Sequence, residues 1–330
     1  MMKKYKLSII VAMYNIEKYI EHCLNSCVNQ VGVSEYDYEV LVVNDGSTDS
    51  SAEKTSKFVS RYKNIRLLNK KNGGLSDARN FGLLNCTGEY VWFVDGDDAI
   101  AEDAVSLIIK NTSTMQDAYI INFSTFHQEG IILQSSHFNN LNSSISGSSY
   151  HHKTGRILPM MAWLTIYKVD FLRKNNLIFC QNILHEDLEF SVRAHHLSNG
   201  ISMLSNNLYL YRVERPDSIM NQVNGNCLRS LKSYVKILDT FSVFFQKQLK
   251  TKFVQNLFSD CAVLYFMTYY RTCGYKNQDS RTFFDKTKFF MCRKLICSRK
   301  IKRLVFFIGL TFLPNIILCR FFRNKSVNFM

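Results

Sequence analysis

The chain has 330 residues, of which 46% are hydrophobic and 21% are charged. This is the balance of a folded globular protein, and the length suits about two domains, so disorder is not expected. The ten cysteines include no CxxC pair and no cluster with histidine at metal-ligand spacing. That distribution argues against a disulfide scaffold and a zinc cluster, and it predicts reduced thiols.

The net positive charge of the chain comes from its last third. Residues 1–220 carry 21 Lys and Arg against 23 Asp and Glu, whereas residues 221–330 carry 20 against 4. The formal net charge of +14 therefore belongs to the last third. A region of ordinary charge is followed by a basic region that favours an anionic partner.

The first half of the sequence alternates strand and helix patterns. Apolar runs such as KLSIIVAMY, YEVLVVND and EYVWFVD have the length and composition of buried strands, and helical periodicity lies between them. We expect Asn15 to cap the first helix and Ser76 to cap the helix in SDARNFGLLNC. The alternation predicts an α/β fold with a mostly parallel, Rossmann-like sheet covered by helices on both faces.

The second half is less regular. DAYIINFSTF and IILQSS predict a hairpin, LPMMAWLTIYKVDFLRKNN an apolar helix with a connector, and LHEDLEFSVRAHHLSNG a helix. ISMLSNNLYLYRVE again has the pattern of a strand. From about residue 221 the chain becomes helical, basic and aromatic.

Polar side chains follow three of the predicted strands. Tyr14 ends the first, Asp45 lies in the turn after the second, and Asp95 and Asp97 flank a glycine after EYVWFV. Ligands of open parallel sheets bind at the carboxyl ends of the strands. A hard cation such as Mn²⁺ or Mg²⁺ prefers a few carboxylates with phosphate and water oxygens, so Asp-x-Asp suits a metal that carries a diphosphate. Taken alone, the motif also fits a solvated turn that caps a helix.

Together these segments resemble the family 2 glycosyltransferases of the GT-A type. The resemblance is carried by SIIVAMYNIEKYIEHCLNS, EVLVVNDGSTDSS, NGGLSDARNFGLLNCTGEYVWFVDGDD and HEDLEF. It implies a GT-A catalytic domain over residues 1–220, with a nucleotide-sugar half at about 1–125 and an acceptor half at about 126–220. Residues 221–330 would then form a separate helical, basic region.

The resemblance implies roles for individual residues. In such enzymes the end of the first strand and the acid of the NDGS turn hold the nucleotide base, which here means Tyr14 and Asp45. The DGDD segment implies that Asp95 and Asp97 bind the metal. The ED motif matches Glu186 and Asp187, with Asp187 as the catalytic base and Glu186 as a substrate-binding neighbour.

Three further residues are candidates for the diphosphate. Arg79, one turn into its helix, either faces a phosphate or is solvated. Arg215 and Ser218 resemble an Arg-x-x-Ser segment that closes on the diphosphate, although an exposed Arg-rich turn around Pro216 explains them equally well. Arginine suits such contacts because its planar guanidinium binds phosphate through two donors.

The implied activity is the inverting, metal-dependent transfer of one sugar from a nucleotide-sugar. UDP is the default nucleotide, the sugar is a hexosyl or N-acetylhexosaminyl group, and the acceptor is a glycan or a lipid-linked glycan. Polysaccharide or cell-envelope glycan synthesis is the implied setting. Processive synthases of this family carry a Gln-x-x-Arg-Trp motif and several membrane spans, and the sequence shows neither, which favours single transfers. The alternatives are a nucleotidyltransferase with a related metal site and a non-catalytic sugar-nucleotide-binding scaffold.

The C-terminal region contains an uncharged run, 304–319, flanked by Lys and Arg. It is shorter than the about 20 apolar residues of a spanning helix, so we expect a helix that lies in the membrane interface. A buried helical cap and a single or re-entrant span remain alternatives. Nucleic acid is not expected, because long apolar stretches separate the cations. The sequence thus predicts a cytoplasmic protein attached peripherally to the inner face of the membrane.

Overall fold

The structure is a computed structural model that describes residues 5–127, 132–136, 144–154, 157–213, 227–270 and 278–296. The chain divides into two compact units. The first comprises Met1–Ser149, Leu158–Asn182 and Glu186–Arg215; the second comprises Tyr150–Ile157, Ile183–His185 and Pro216–Met330.

The first unit is built on a mixed sheet. Its strands, within the described residues, are β1 Leu7–Met13, β2 Tyr38–Asn44, β3 Ile65–Asn69, β4 Tyr90–Asp95, β5 Ala99–Ile100, β6 Ala118–Phe126, β7 Ile132–Ser136, β8 Thr165–Lys168 and β9 Ile201–Arg212. They lie in the order β3-β2-β1-β4-β8-β6-β9-β5, with β7 beside β6. The first four are parallel, β8 is antiparallel to both of its neighbours, and β6 and β9 are parallel again.

The described residues also form ten α-helices. They are α1 Ile20–Val28, α2 Ser51–Arg61, α3 Leu75–Asn85, α4 Ala104–Thr112, α5 Gly147–Thr154, α6 Val169–Lys174, α7 Glu186–Leu197, α8 Cys227–Phe244, α9 Lys252–Thr268 and α10 Gln278–Ile296. Short 3-10 helices occupy Ala162–Leu164 and Gln246–Gln248.

Helices cover both faces of the parallel strands, which is why these strands are apolar without alternation. Ile9 and Val11 of β1 belong to the main core together with the buried face of α1. Ile10, on the opposite face, lies against Gly82 of α3, where an added Cβ would be 2.4 Å from the Ile10 Cγ2. The predicted α/β fold with a mostly parallel sheet is confirmed.

Three expectations about local structure are wrong. Asn15 does not cap α1, which begins at Ile20; its Oδ1 instead accepts a hydrogen bond from the Thr48 backbone N–H at 2.8 Å. The segment LPMMAWLTIYKVDFLRKNN is not one apolar helix, because its centre forms β8 between β4 and β6. The N-cap of α3 is Gly74, and the Ser76 hydroxyl donates to the Cys180 carbonyl at 2.8 Å.

The described part of the second unit is helical, and α8, α9 and α10 pack on one another. Tyr269 and Phe284 stack with ring centroids 3.7 Å apart within this bundle. Among the described helices, none combines the length and the apolar character that crossing a membrane requires. The run 304–319 lies outside the described residues.

Most of the cysteines whose side chains the structure describes are reduced, as the sequence predicts. Free thiols are found at Cys23, Cys27, Cys86, Cys180 and Cys261. The expectation is wrong for Cys227, which is disulfide-bonded.

Candidate active site

Three neighbouring parallel strands bring the predicted donor-site residues to one edge of the sheet. In the ladder, Met13 pairs with Asn44, and Ala12 pairs with Asp95. Tyr14 and Asp45 each follow the last residue of their strand, so both lie at the same edge of the sheet as Asp95, two residue positions further along. The order β2-β1-β4 therefore assembles side chains that are far apart in the sequence.

Asp45 is buried and is used to shape a neighbouring turn. Its two carboxylate oxygens accept the backbone N–H groups of Gly73 at 2.9 Å and Gly74 at 2.7 Å, and Lys70 forms an ion pair with it. Gly74 has φ of 88°, a conformation that glycine adopts freely. Tyr14 is 50% exposed beyond the end of β1. Their contact with a nucleotide base stays a prediction, for which Tyr14 offers the open ring.

The acidic turn after β4 lies directly against β1. An added Cβ on Gly96 would be 2.9 Å from the carbonyl oxygen of Ala12 and 2.5 Å from Ile16 Cδ1, so no larger residue fits there. The Asp98 backbone N–H closes the turn on the Asp95 carbonyl at 3.0 Å. The turn therefore holds Asp95, Asp97 and Asp98 within four consecutive residues.

Asp98 is the buried member of this turn. Tyr209 donates its hydroxyl to Asp98 Oδ2 at 2.6 Å, and the Arg212 backbone N–H donates to Oδ1 at 2.8 Å. Burial raises the pKa of the Asp98 carboxyl to about 8, and the Asp95 charge adds to the shift. The Tyr209 hydroxyl also accepts the Asp95 N–H at 3.2 Å, so one phenol joins both ends of the turn.

Arg212, the last residue of β9, holds the remaining part of the turn. Its Nε donates to the Asp97 carbonyl at 2.7 Å. The guanidinium lies 4.5 Å from the Phe126 ring centroid and 5.2 Å from that of Tyr19, a cation–π arrangement on two rings. Sequence reasoning gave neither Tyr209 nor Arg212 a contact with this turn, because both are more than a hundred residues from it along the chain.

Arg79 joins the acidic turn to the start of α7. Its guanidinium donates to Asp95 Oδ1 at 2.7 Å and to Glu186 Oε1 at 2.8 Å. Burial by itself lowers the pKa of this group, but the two carboxylates outweigh burial and raise it. Arg79 is 3% exposed, so the solvated alternative is wrong. A phosphate contact stays a prediction, and any such contact competes with two carboxylates already in place.

Asp187 lies in the first turn of α7, beside Glu186. It is partly buried, and its Oδ1 accepts the Leu188 backbone N–H at 2.8 Å. Burial raises the pKa of the Asp187 carboxyl to about 7, the Glu186 charge adds to the shift, and Arg79 opposes it. A carboxylate with a pKa near 7 is suited to accept a proton at neutral pH.

Asp95 and Asp97 fit a divalent cation. Both are partly exposed in a tight turn, and the ion pair with Arg79 uses only Oδ1 of Asp95. The described residues contain no group of three His, Cys, Asp or Glu side chains at metal-binding spacing. Mg²⁺ is often bound through one or two carboxylates while phosphate and water supply the other oxygens, so this donor set is chemically suitable.

The remaining two predicted site residues, Arg215 and Ser218, lie outside the described residues. Their contact with a diphosphate stays a prediction. Arg79 thus contacts Asp95 and Glu186 directly, and Asp187 follows Glu186 in the chain.

Comparison with known proteins shows similarity to glycosyltransferases. Residues 8–163 match the family model described as glycosyl transferase family 2. The glycosyltransferase GlyA of Streptococcus pneumoniae is 34% identical over 219 residues, covering 64% of this chain and 31% of GlyA. The uncharacterized glycosyltransferase EpsJ of Bacillus subtilis is 31% identical over 221 residues, covering 64% of this chain and 62% of EpsJ. The chain thus covers less than two thirds of the length of either relative.

Solved structures show the same fold. Staphylococcus aureus TarS, residues 1–349 in complex with UDP-GlcNAc, aligns with a TM-score of 0.68 and 21% identity over 96% of this chain and 90% of that one. The mannosyltransferase PcManGT of Pyrobaculum calidifontis, in complex with GDP-Man and Mn²⁺, aligns with a TM-score of 0.51 and 14% identity over 98% and 88%. Because both sequence identities are low, these similarities show a shared fold and not a shared activity.

The mixed sheet, with the acidic turn at its edge, has the GT-A fold of these solved structures. The matched part of the chain, residues 8–163, belongs to glycosyl transferase family 2.

Removing the Tyr209 hydroxyl tests whether β9 holds the acidic turn. We expect Tyr209→Phe to lower the free energy of unfolding by about 1–3 kcal/mol, because buried Asp98 loses a donor and the Asp95 N–H loses its acceptor. Urea denaturation measures this change, with Tyr36→Phe at an exposed position as the control. Equal unfolding midpoints for the two variants would contradict the assignment.

Proposed function

We propose that this protein transfers a single sugar from a UDP-sugar to a glycan or lipid-linked acceptor, with inversion at the anomeric carbon. The observation that carries the proposal is the pair of contacts from Arg79 to Asp95 and Glu186. These contacts support a single site with the acidic turn on one side and the ED pair on the other. Polysaccharide or cell-envelope glycan synthesis is the proposed setting.

The donor side of the site binds the nucleoside diphosphate. Tyr14 packs its exposed ring on the base, while Asp45 keeps the Gly73–Gly74 turn in place. Asp95 and Asp97 would hold Mn²⁺ or Mg²⁺. A divalent ion bound there supplies positive charge that stabilises the leaving diphosphate. Arg212 and Tyr209 fix the turn, so the two carboxylates stay oriented before the donor arrives.

The acceptor side uses Asp187 as a general base. Its carboxylate takes the proton of the acceptor hydroxyl while that oxygen bonds to the anomeric carbon, and the bond from this carbon to the phosphate oxygen breaks. Attack from the face opposite the leaving group inverts the configuration. Glu186, paired with Arg79, contacts the sugar or acceptor beside the base.

The class of sugar is proposed from the solved relatives. TarS was crystallised with UDP-GlcNAc, which supports a UDP-linked hexosyl or N-acetylhexosaminyl group. The GDP-mannose and Mn²⁺ of PcManGT support a divalent cation at the DGDD turn, and they make a GDP-sugar the next donor to test.

Nucleoside diphosphate release tests the proposal directly. Purified protein is incubated with UDP-, GDP- and dTDP-sugars and a lipid-linked acceptor, with and without Mn²⁺. We expect Mn²⁺-dependent release with one donor and a loss of about 10²–10⁴-fold in kcat for Asp187→Ala, with donor binding retained. Asp97→Ala is expected to lose Mn²⁺-dependent donor binding itself.

Asp170→Ala, an exposed carboxylate on α6, is the matched control and keeps full activity. Neither turnover nor Mn²⁺-dependent nucleotide binding with any donor would overturn the proposal.

The pH dependence of transfer reports the state of the base. Because the pKa of Asp187 is raised to about 7, the carboxyl is protonated below that pH and inactive as a base. We expect kcat to rise as the pH increases through about 7, whereas an ordinary aspartate with a pKa near 3.9 would give a flat profile there. A profile of kcat from pH 5 to 8.5 at saturating donor measures this. A rate independent of pH over that range would contradict the role of Asp187.

We further propose that the basic region attaches the protein to the membrane surface. Arg229, Lys232 and Lys236 are exposed on one stripe of α8, and Val243 continues this stripe with a 72% exposed side chain. Asp239 is the one acidic residue on it among the described residues. Each Lys or Arg near an anionic surface contributes roughly 1 kcal/mol, so three cations make a measurable contribution.

Charge reversal on α8 tests this attachment. We expect the triple variant R229E/K232E/K236E to bind phosphatidylglycerol vesicles at least about tenfold more weakly in cosedimentation. The control K57E/R61E/K63E makes the same charge change on exposed residues in and just after α2. Equal binding by the two triple variants would contradict a role for α8.

A further inference from the structure

Asn80 of α3 binds the backbone of Phe179 with both ends of its side-chain amide. Its Nδ2 donates to the Phe179 carbonyl at 2.9 Å, and its Oδ1 accepts the Phe179 N–H at 2.8 Å. The side-chain amide therefore makes the two hydrogen bonds that a neighbouring strand would otherwise make with the Phe179 N–H and carbonyl groups. The position of Phe179 is therefore set by α3.

Two further bonds from α3 hold the residues that follow Phe179. Ser76 donates to the Cys180 carbonyl at 2.8 Å, and Gln181 donates to Asp77 Oδ1 at 2.7 Å. Residues 179–181 are thus attached to α3 through three successive positions. This segment comes shortly before Glu186, where α7 begins.

The ring of Phe179 packs against aromatic rings of β4 and α7, the two elements that carry the acidic turn and the ED pair. It lies 5.0 Å from Phe93 of β4, edge to face, and 4.0 Å from Phe190 of α7, stacked. Phe93 precedes Asp95 by two residues, and Phe190 is about one helical turn beyond Asp187. All three rings are essentially inaccessible to solvent, so a shift of Phe179 displaces its neighbours.

We infer that Asn80 is a positioning residue for the catalytic base, acting through Phe179 and Phe190 on Asp187. The inference rests on the proposed glycosyl transfer. Among the residues that the structure describes, the Asn80 side chain hydrogen-bonds Phe179 and neither the acidic turn nor the ED pair. Its effect is to hold α7 at the distance from β4 at which Asp187 meets the acceptor hydroxyl. A base displaced by about 1 Å loses rate without losing donor binding.

The test compares Asn80→Ala with Asn85→Ala on the same helix. Asn85 is a matched control, because within the described part of the chain its side chain donates one hydrogen bond, to the Phe81 carbonyl one turn back in α3. We expect Asn80→Ala to lower kcat at least about tenfold while the donor KM and UDP affinity stay within about twofold of wild type. Asn85→Ala is expected to retain the wild-type kcat.

Hydrogen exchange measured by mass spectrometry follows the same contact independently of activity. The Phe179 amide loses its acceptor in Asn80→Ala, so we expect faster exchange in residues 177–182, with unchanged exchange in β1 and β2. This measurement also shows whether the variant is folded.

A double-mutant cycle with Phe190→Leu tests the route. Because both changes act through the Phe179–Phe190 contact, we expect the double variant to lose less kcat than the product of the two single losses. Independent, multiplicative losses would overturn the route through Phe190, and an equal kcat for Asn80→Ala and Asn85→Ala would overturn the inference itself. Wild-type protein without any turnover would instead overturn the proposed function.

Discussion

The site depends on one buried guanidinium. Arg79 is placed between Asp95 at the tip of β4 and Glu186 at the start of α7, which are far apart in the chain. A charge removed from water has to be paired, and this pairing is satisfied only when β4 and α7 meet at this point. The same contact lets two acidic segments lie close together, since the cation offsets their mutual repulsion.

The three carboxylates of the acidic turn are tolerated because they occupy different environments. Asp95 is paired with Arg79, Asp97 is partly exposed, and buried Asp98 is hydrogen-bonded by Tyr209 and Arg212. A raised pKa for Asp98 further reduces the charge in the turn. Only two of the three acids are therefore suited to a cation, and the third is a structural part of the turn.

α3 contacts both the acidic turn and the segment that leads into α7. Arg79 contacts the acids directly, whereas Asn80, the next residue, binds the backbone of Phe179 on the way to α7. Two adjacent residues of one helix thus contribute an ion-paired guanidinium and a side-chain amide that hydrogen-bonds the backbone. This arrangement suits a transferase, in which a donor site and a base from separate segments have to keep a constant spacing.

The sequence by itself determined the strands β1, β2 and β4, the acidic turn after β4 and the helix that carries Asp187, because each has a local signal in periodicity or in motif spacing. Only the tertiary structure decided β8, since a short apolar run fits a buried helix or a strand until its partners are known. The roles of Arg79, Tyr209, Arg212 and Asn80 were decided in the same way. Each depends on a partner between 16 and 115 residues away, brought near by sheet order and packing, and no local pattern encodes such a contact.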